Sequence, residues 1–398
     1  MPELPEVETI ARDLRPLVVG RTITGAWTDW PRVVGHPEVD AFVAGVTGRE
    51  VRGVERRAKW LLLDLDGGLV LAIQVKMTGQ LFVVPAAAPH DRHVHFAVDL
   101  DDGRQLRLRD MRKFARVGLY RRDEAGRVAR DGREAGVAED LFAHHGPEPL
   151  DPSFTLARLH ERLRARRGRL KPLLLDQSFI AGVGNIYADE ALWRARLHPL
   201  RTVSTLRADD ERRLHRSLLD VLREAVERRG SSVDDYTAPD GDGEMQEHLR
   251  AYQRTGLPCL RCGRPMRRIV VGQRGTHFCS WCQRLPAADR GGAAAILARE
   301  AGVGLRENRS RHRGRGRRWT ELGGDDVVGL TPGEARRAAA TARGEEARSR
   351  SERVRRAAET RRRSARANAG ERAEVGVSGG ADAGEGPEVH ARGDGRPD

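Results

Sequence analysis

All four cysteines of the chain lie between Cys259 and Cys282, spaced C-x2-C-x16-C-x2-C. Two such knuckles bring four thiolates into a tetrahedron, the arrangement that holds a structural Zn²⁺. A catalytic zinc would need an open position, and a disulfide framework would suit a secreted chain better. Cys259, Cys262, Cys279 and Cys282 are therefore expected to bind one structural Zn²⁺, with Arg274 presented on the stiffened turn "GQRGTHFC" between the knuckles. At the other end, "MPELPEVETIARDL" places two prolines and three carboxylates in its first eight residues. Removal of Met1 would leave Pro2 with a secondary amine of pKa near ~8, far below a lysine's ~10.4. Such an amine can attack a sugar carbon and form an iminium, which is covalent nucleophilic catalysis. Glu3 and Glu6 stand i, i+3 beside it, suited to be proton donor and charge stabiliser. The same residues also suit an ordinary helix start, with proline near the first position and acids favoured by the dipole.

The elements that must carry these ends differ along the chain. Val7, Ile10 and Leu14 form one face of an N-terminal helix. From about Gly20 to Tyr120 short apolar and polar runs alternate, with hairpin signals at Asp66-Gly67 and Asp102-Gly103, so a mostly antiparallel β-sandwich is expected. After the Pro/Gly-rich stretch "HHGPEPLDP" the periodicity turns helical: "TLARLHERLRA", "KPLLLD", "NIYADEALWRA", and a stripe of Leu214, Leu218, Val221, Leu222 and Val226 closed by Gly230. A short β-like stretch over 269–278 separates the cysteine pairs. Beyond about Leu285 the chain is rich in Arg, Ala, Gly and Glu, a composition that cannot repay its ordering entropy, and a largely disordered tail is expected. A helix from Pro332 to about Ala367 is announced there by Thr331 and Glu334.

The 398 residues, 39% of them hydrophobic, are enough for two or three cores. No apolar run approaches the ~20 residues of a membrane span, and the start lacks the regions of a secretory signal, so a cytoplasmic protein is expected. The net charge of +13 points to a polyanionic partner, nucleic acid before an acidic membrane. Only Lys59, Lys76, Lys113 and Lys171 among the 71 basic residues are lysines, and a lysine kept in such a background can be one whose compact ammonium is required.

"PELPEVET", "RRAKWLLLDL", "MTGQL", "HHGPEPL", "KPLLLDQSFIAGVGNIYADEALW" and the zinc pattern ending "GTHFCSWCQ" occur in this order. Together they closely resemble the bacterial formamidopyrimidine-DNA glycosylases of the Fpg/Nei family, over about residues 1–284. The resemblance implies an α+β multidomain fold: an N-terminal helix with an antiparallel β-sandwich, a helix-two-turns-helix domain, a zinc finger, and damaged double-stranded DNA held in the cleft. It implies a bifunctional glycosylase and abasic-site lyase, with Pro2 attacking C1′, Glu3 the general acid, and Glu6 and Lys59 in the catalytic set. Met77, Arg112 and Phe114 would fill the space of a flipped-out base, and Lys59, Lys171, Asn185 and Arg274 would meet phosphates. Oxidised or ring-opened purines are the first expectation for the lesion. The segment "GSSVDDYTAPDGDGEMQ" departs from the family's lesion loop, with Asp234 where some relatives have lysine. A Nei-type enzyme for oxidised pyrimidines and a non-catalytic zinc-finger DNA-binding paralogue are the alternatives. The expected limits are a catalytic domain over 1–134, a hinge over 135–151, the helical DNA-binding domain over 152–230, the lesion loop and zinc finger over 231–284, and a basic tail over 285–398 that clings to DNA non-specifically. A nucleoid-associated monomer completes the expectation.

Overall fold

The computed structural model of the chain describes residues 2–130, 139–231 and 243–297. Helix α1 (Leu4–Val18) opens the fold. Its stripe of Val7, Ile10 and Leu14 is buried in the first core, each side chain contributing about 2 kcal/mol by leaving water. The N-terminal turn is thereby fixed in place. Strands β1 (Ile23–Thr28), β2 (Val34–His36), β3 (Val51–Arg57), β4 (Trp60–Leu65), β5 (Leu69–Gln74), β6 (Gly79–Pro85), β7 (Val94–Leu100), β8 (Arg104–Asp110), β9 (Arg116–Arg122), β10 (Val128–Arg130) and β11 (Glu139–Asp140) follow. They form two sheets, ordered β1-β7-β8-β6 and β11-β10-β9-β5-β4-β3, with β2 parallel to β9. The first core lies between them and under α1, as the sandwich expectation requires. Both hairpins turn where expected, through Gly67 (φ 69°) and Gly103 (φ 78°).

Two local differences have physical reasons. "VDAFVAGV" is not strand but helix α2 (Val39–Val46), because Phe42 and Val46, four apart, both reach the core. Strand β5 is buried on both faces, since Phe142 and its neighbours cover the outer side over Leu62, Val70 and Ala72. Its run "LVLAI" therefore reads as continuous rather than alternating.

Helices α3 (Leu156–Arg164), α4 (Leu170–Leu175), α5 (Asn185–Ala195) and α6 (Ala208–Glu227) build a second core, and the five-residue stripe of α6 faces into it or lies at its edge. Strands β12 (Arg267–Val271) and β13 (Arg274–Phe278) form the hairpin between the cysteine pairs. The tail does not begin at 285, as its composition suggested. Residues 287–297 are helical, and Ala293 packs with Leu200, Ile269, Val271 and Phe278, so this stretch belongs to the folded body. The remaining tail, with its expected helix, and most of the lesion loop including Asp234 lie outside the described residues.

His198 is built into this last contact: its ring centroid lies 4.6 Å from that of Phe278, and its Nδ1 accepts a bond from the Leu200 N–H at 3.1 Å. Burial pushes its pKa down to about 4, although Asp289 pulls the other way. An unfolded histidine titrates near ~6.5. The stabilisation is therefore complete above that pH and is lost as pH falls through the folded value, by about 3 kcal/mol in all. The melting temperature followed by circular dichroism should drop across this window, and His198→Gln should flatten the drop.

Candidate active site

The first turn of α1 is gripped by the helical domain. The Leu4 N–H donates to the Gly182 carbonyl at 3.0 Å. The Glu3 carboxylate is 2% exposed and accepts the N–H groups of Gly184 (2.8 Å), Ile186 (2.9 Å) and Tyr187 (3.4 Å) at the start of α5. Glu6 accepts the Glu3 N–H at 2.8 Å through one oxygen; through the other it accepts the Ser231 N–H at 2.8 Å and the Tyr187 hydroxyl. Half of a helix capping arrangement is thus present, as the helix-start reading of PELPE expects. Pro2 is buried immediately ahead of this turn. Burial raises the pKa of Glu3, and Glu6 raises it further, while Lys59 and the helix N–H groups oppose them. A raised pKa lets a carboxyl keep its proton more readily, which suits a general acid.

Glycines make the grip possible. A Cβ on Gly184 would stand 2.4 Å from the Glu3 Cδ, one on Gly182 would stand 2.7 Å from the Leu4 Cβ, and one on Gly230 would stand 2.8 Å from the Glu6 Cγ. "AGVGN" is therefore a socket for α1 as well as a loop.

Lys59 sits on the two-residue turn joining β3 to β4, after Ala58 at φ 53°. That left-handed alanine costs about 1 kcal/mol or more, and Glu148 supports it by accepting the Ala58 N–H at 2.5 Å and an Arg56 N–H at 2.7 Å. Through Glu148 the stretch "HHGPEPLDP" is tied to this turn. Burial lowers the pKa of Lys59, Glu3 and Glu6 raise it, and the positive charges of Arg274 and Lys76 lower it again. The N-terminal carboxylates, the strand-turn lysine and the zinc-hairpin arginine therefore act on one place.

Met77, Arg112 and Phe114 are contiguous. The Arg112 guanidinium lies 3.3 Å from the Met77 sulfur and 4.7 Å from the centre of the Phe114 ring, which is 44% exposed. Sequence reasoning missed what holds them. Asp110, 1% exposed, accepts the N–H groups of Arg112 (3.2 Å), Phe114 (2.7 Å) and Ala115 (2.8 Å) and the Thr78 hydroxyl. Bonds to a charged acceptor are worth about 1.5–3 kcal/mol each. Asp110→Ala is expected to weaken lesion-duplex binding by about tenfold or more in a gel shift, with excision lost in step.

Two of the residues expected at phosphates have partners inside the protein. Lys171 is fully buried, with its ammonium 2.6 Å from Asp189 and 2.9 Å from the Asn185 carbonyl, and it offers no charge to a surface ligand. At Asn185 the neighbouring helix N–H groups belong to Glu3, and the side-chain amide donates to the Gly275 carbonyl at 3.0 Å. Lys171 ties α4 to α5, and Asn185 ties α5 to the zinc hairpin, where Asp189 also accepts the His277 N–H at 2.9 Å. Adjacent Glu190 accepts the N–H groups of Arg250, Ala251 and Tyr252, each at 2.8 Å. Arg274 is exposed at the start of β13.

The four cysteine sulfurs lie within 4.8 Å of one another, with Cys259–Cys282 at 3.9 Å and Cys262–Cys279 at 3.5 Å. Zinc–sulfur bonds of about 2.3 Å in a tetrahedron require sulfurs about 3.8 Å apart. The donor set fits one Zn²⁺.

Comparison with known proteins matches residues 1–117 to the formamidopyrimidine-DNA glycosylase N-terminal domain, 145–237 to that enzyme's H2TH domain, and 256–285 to the zinc finger found in FPG and IleRS. A formamidopyrimidine-DNA glycosylase of Roseiflexus is 50% identical over 286 residues, which is 71% of this chain and 100% of the relative. The chain belongs to the formamidopyrimidine-DNA glycosylase family. Among solved members, the Thermus thermophilus protein is 43% identical with a TM-score of 0.62, over 72% of this chain and 100% of that one. A Lactococcus lactis variant, crystallised with Fapy-dG-containing DNA, is 34% identical with a TM-score of 0.63, over 71% and 100%. The family's members are DNA glycosylases that bind damaged duplex DNA, and its zinc finger accounts for the four-cysteine cluster. Among the described residues no helix is long and apolar enough to cross a membrane.

Proposed function

We propose that Pro2, freed by removal of Met1, attacks C1′ of an oxidised or ring-opened purine nucleotide, with the Lactococcus complex supporting this substrate class. As the new C–N bond forms, the base leaves with a proton, the sugar ring opens, and Glu3 protonates the ring oxygen. The resulting iminium acidifies C2′, so β-elimination and then δ-elimination leave a gap with phosphate ends. Glu6 fixes the Glu3 backbone and Tyr187, and Lys59 sets the charge balance around the acid. Arg112, Phe114 and Met77 fill the vacated stack, while Lys59 and Arg274 meet the phosphates flanking the lesion. The working division is a catalytic half over 1–134 and a DNA-gripping half from 152, joined across 135–151, acting as a cytoplasmic monomer.

The observation that carries this reading is the buried Glu3 carboxyl, biased toward protonation at the chain's start and seated on the other half of the molecule. Borohydride trapping on duplexes with 8-oxoguanine opposite C, or with thymine glycol, tests it. A cross-link mapped to Pro2 and strongest on 8-oxoguanine is expected. Preference for thymine glycol would move the enzyme to oxidised pyrimidines, and no cross-link despite intact binding would remove Pro2 as nucleophile.

A further inference from the structure

On the zinc finger, at the end of α5 remote from the Glu3 seat, Arg196, Arg201, Arg261 and Arg284 line a pocket of about 400 Å³ with Trp281 and the zinc-site cysteines Cys262 and Cys282. The 11 residues of α5 separate the two ends by about 16 Å at 1.5 Å per residue. Trp281 is 48% exposed, with the guanidinium groups of Arg264 and Arg284 stacked at 3.4 and 4.5 Å from its ring. A second pocket of about 630 Å³ shares Trp281 and Arg284 and continues to Leu285, Arg290 and Leu297. Among the described residues, none that lines either pocket is acidic.

Neutralising the metal centre does not account for this charge. A zinc tetrathiolate carries about two negative charges. Arg201 is already paired with Asp210 and Arg261 donates to the Trp193 carbonyl, which leaves Arg196, Arg264 and Arg284 around the centre and Arg290 beyond it. The stacked guanidinium groups are pre-organised for forked bonds to carboxylates. The half-buried Leu285 and Leu297 give an apolar floor that a phosphate backbone would not use.

We propose that this surface is a docking site for an acidic peptide carrying an apolar side chain, with carboxylates on the arginines and the apolar group between Trp281 and the leucines. It goes beyond the glycosylase reading and does not depend on the Pro2 assignment. The partner would be a protein with an acidic, apolar-tipped segment, held while the opposite end of α5 works on DNA.

Fluorescence anisotropy of a labelled oligo-aspartate peptide ending in phenylalanine tests this on the zinc-loaded full chain at physiological salt. Saturable binding is expected, weakened about tenfold or more by Arg284→Glu or Trp281→Ala with zinc content and excision unchanged, and persisting when the enzyme is saturated with abasic-analogue duplex. Arg284→Gln serves if the charge reversal loses zinc. Equal binding by the variants, displacement of the peptide by duplex, or equal affinity for a peptide ending in serine would overturn the proposal; displacement would assign the surface to DNA phosphates.

Discussion

Gly184→Ala is expected to reduce base excision by about 10²–10⁴-fold, as much as Glu3→Gln, although the new methyl group is chemically inert. The added Cβ would fall 2.4 Å from the Glu3 Cδ and 2.5 Å from one carboxylate oxygen. The backbone at Gly184 is extended (φ -132°), so the substitution acts by collision rather than by torsional strain. The carboxylate must leave the start of α5, and it then loses both its bonds to Gly184, Ile186 and Tyr187 and the burial that favours its protonated form. Lesion-duplex affinity should change little, because no wedge or phosphate-facing residue is touched. The cost in stability should stay at about 1–3 kcal/mol, the usual range for overpacking. Single-turnover excision, duplex affinity and a thermal melt measured together check this. Wild-type excision in a folded Gly184→Ala protein would remove Glu3 as the acid.

Retention of Met1 should be still more damaging. With Met1 attached, the Pro2 nitrogen is a tertiary amide without a basic lone pair, and no iminium can form. Protein carrying an uncleavable N-terminal extension should give no borohydride cross-link and no strand cleavage, while lesion-duplex binding remains within about tenfold of the processed enzyme. Mass spectrometry of the intact N-terminus, run beside the trapping assay, separates the two populations. A cross-link from the extended chain would place the nucleophile elsewhere, with Lys59 the first position to map.

Much of this architecture is legible in the chain because it is written locally. The cysteine spacing gives the zinc cluster, the i, i+3, i+7 stripe gives α1, and the Asp-Gly turns give the hairpins. Met77, Arg112 and Phe114 come together because they stand at the ends of strands whose register the alternating pattern fixes. What escapes sequence is the partner of each polar group. Lys171 has the composition of a phosphate contact and becomes one only if nothing inside claims it, yet Asp189 does. Asp110 and Glu148 carry no motif of their own, and their work is visible only once the N–H groups they accept are in place. The folded extent beyond residue 285 is hidden for a similar reason: Ala293 and Leu297 look unremarkable until Phe278 and Leu200 are beside them.

The seat of Glu3 bears on how such an enzyme can be inherited. The proposed nucleophile and acid lie within three residues of one end of the chain, but the seat that buries Glu3 is built from glycines and helix N–H groups some 180 positions later. The two halves cannot diverge or be exchanged as independent modules. A recombinant that joined this N-terminal half to a helical half lacking "GVGNIY" would keep its reactive groups and lose the reason they react.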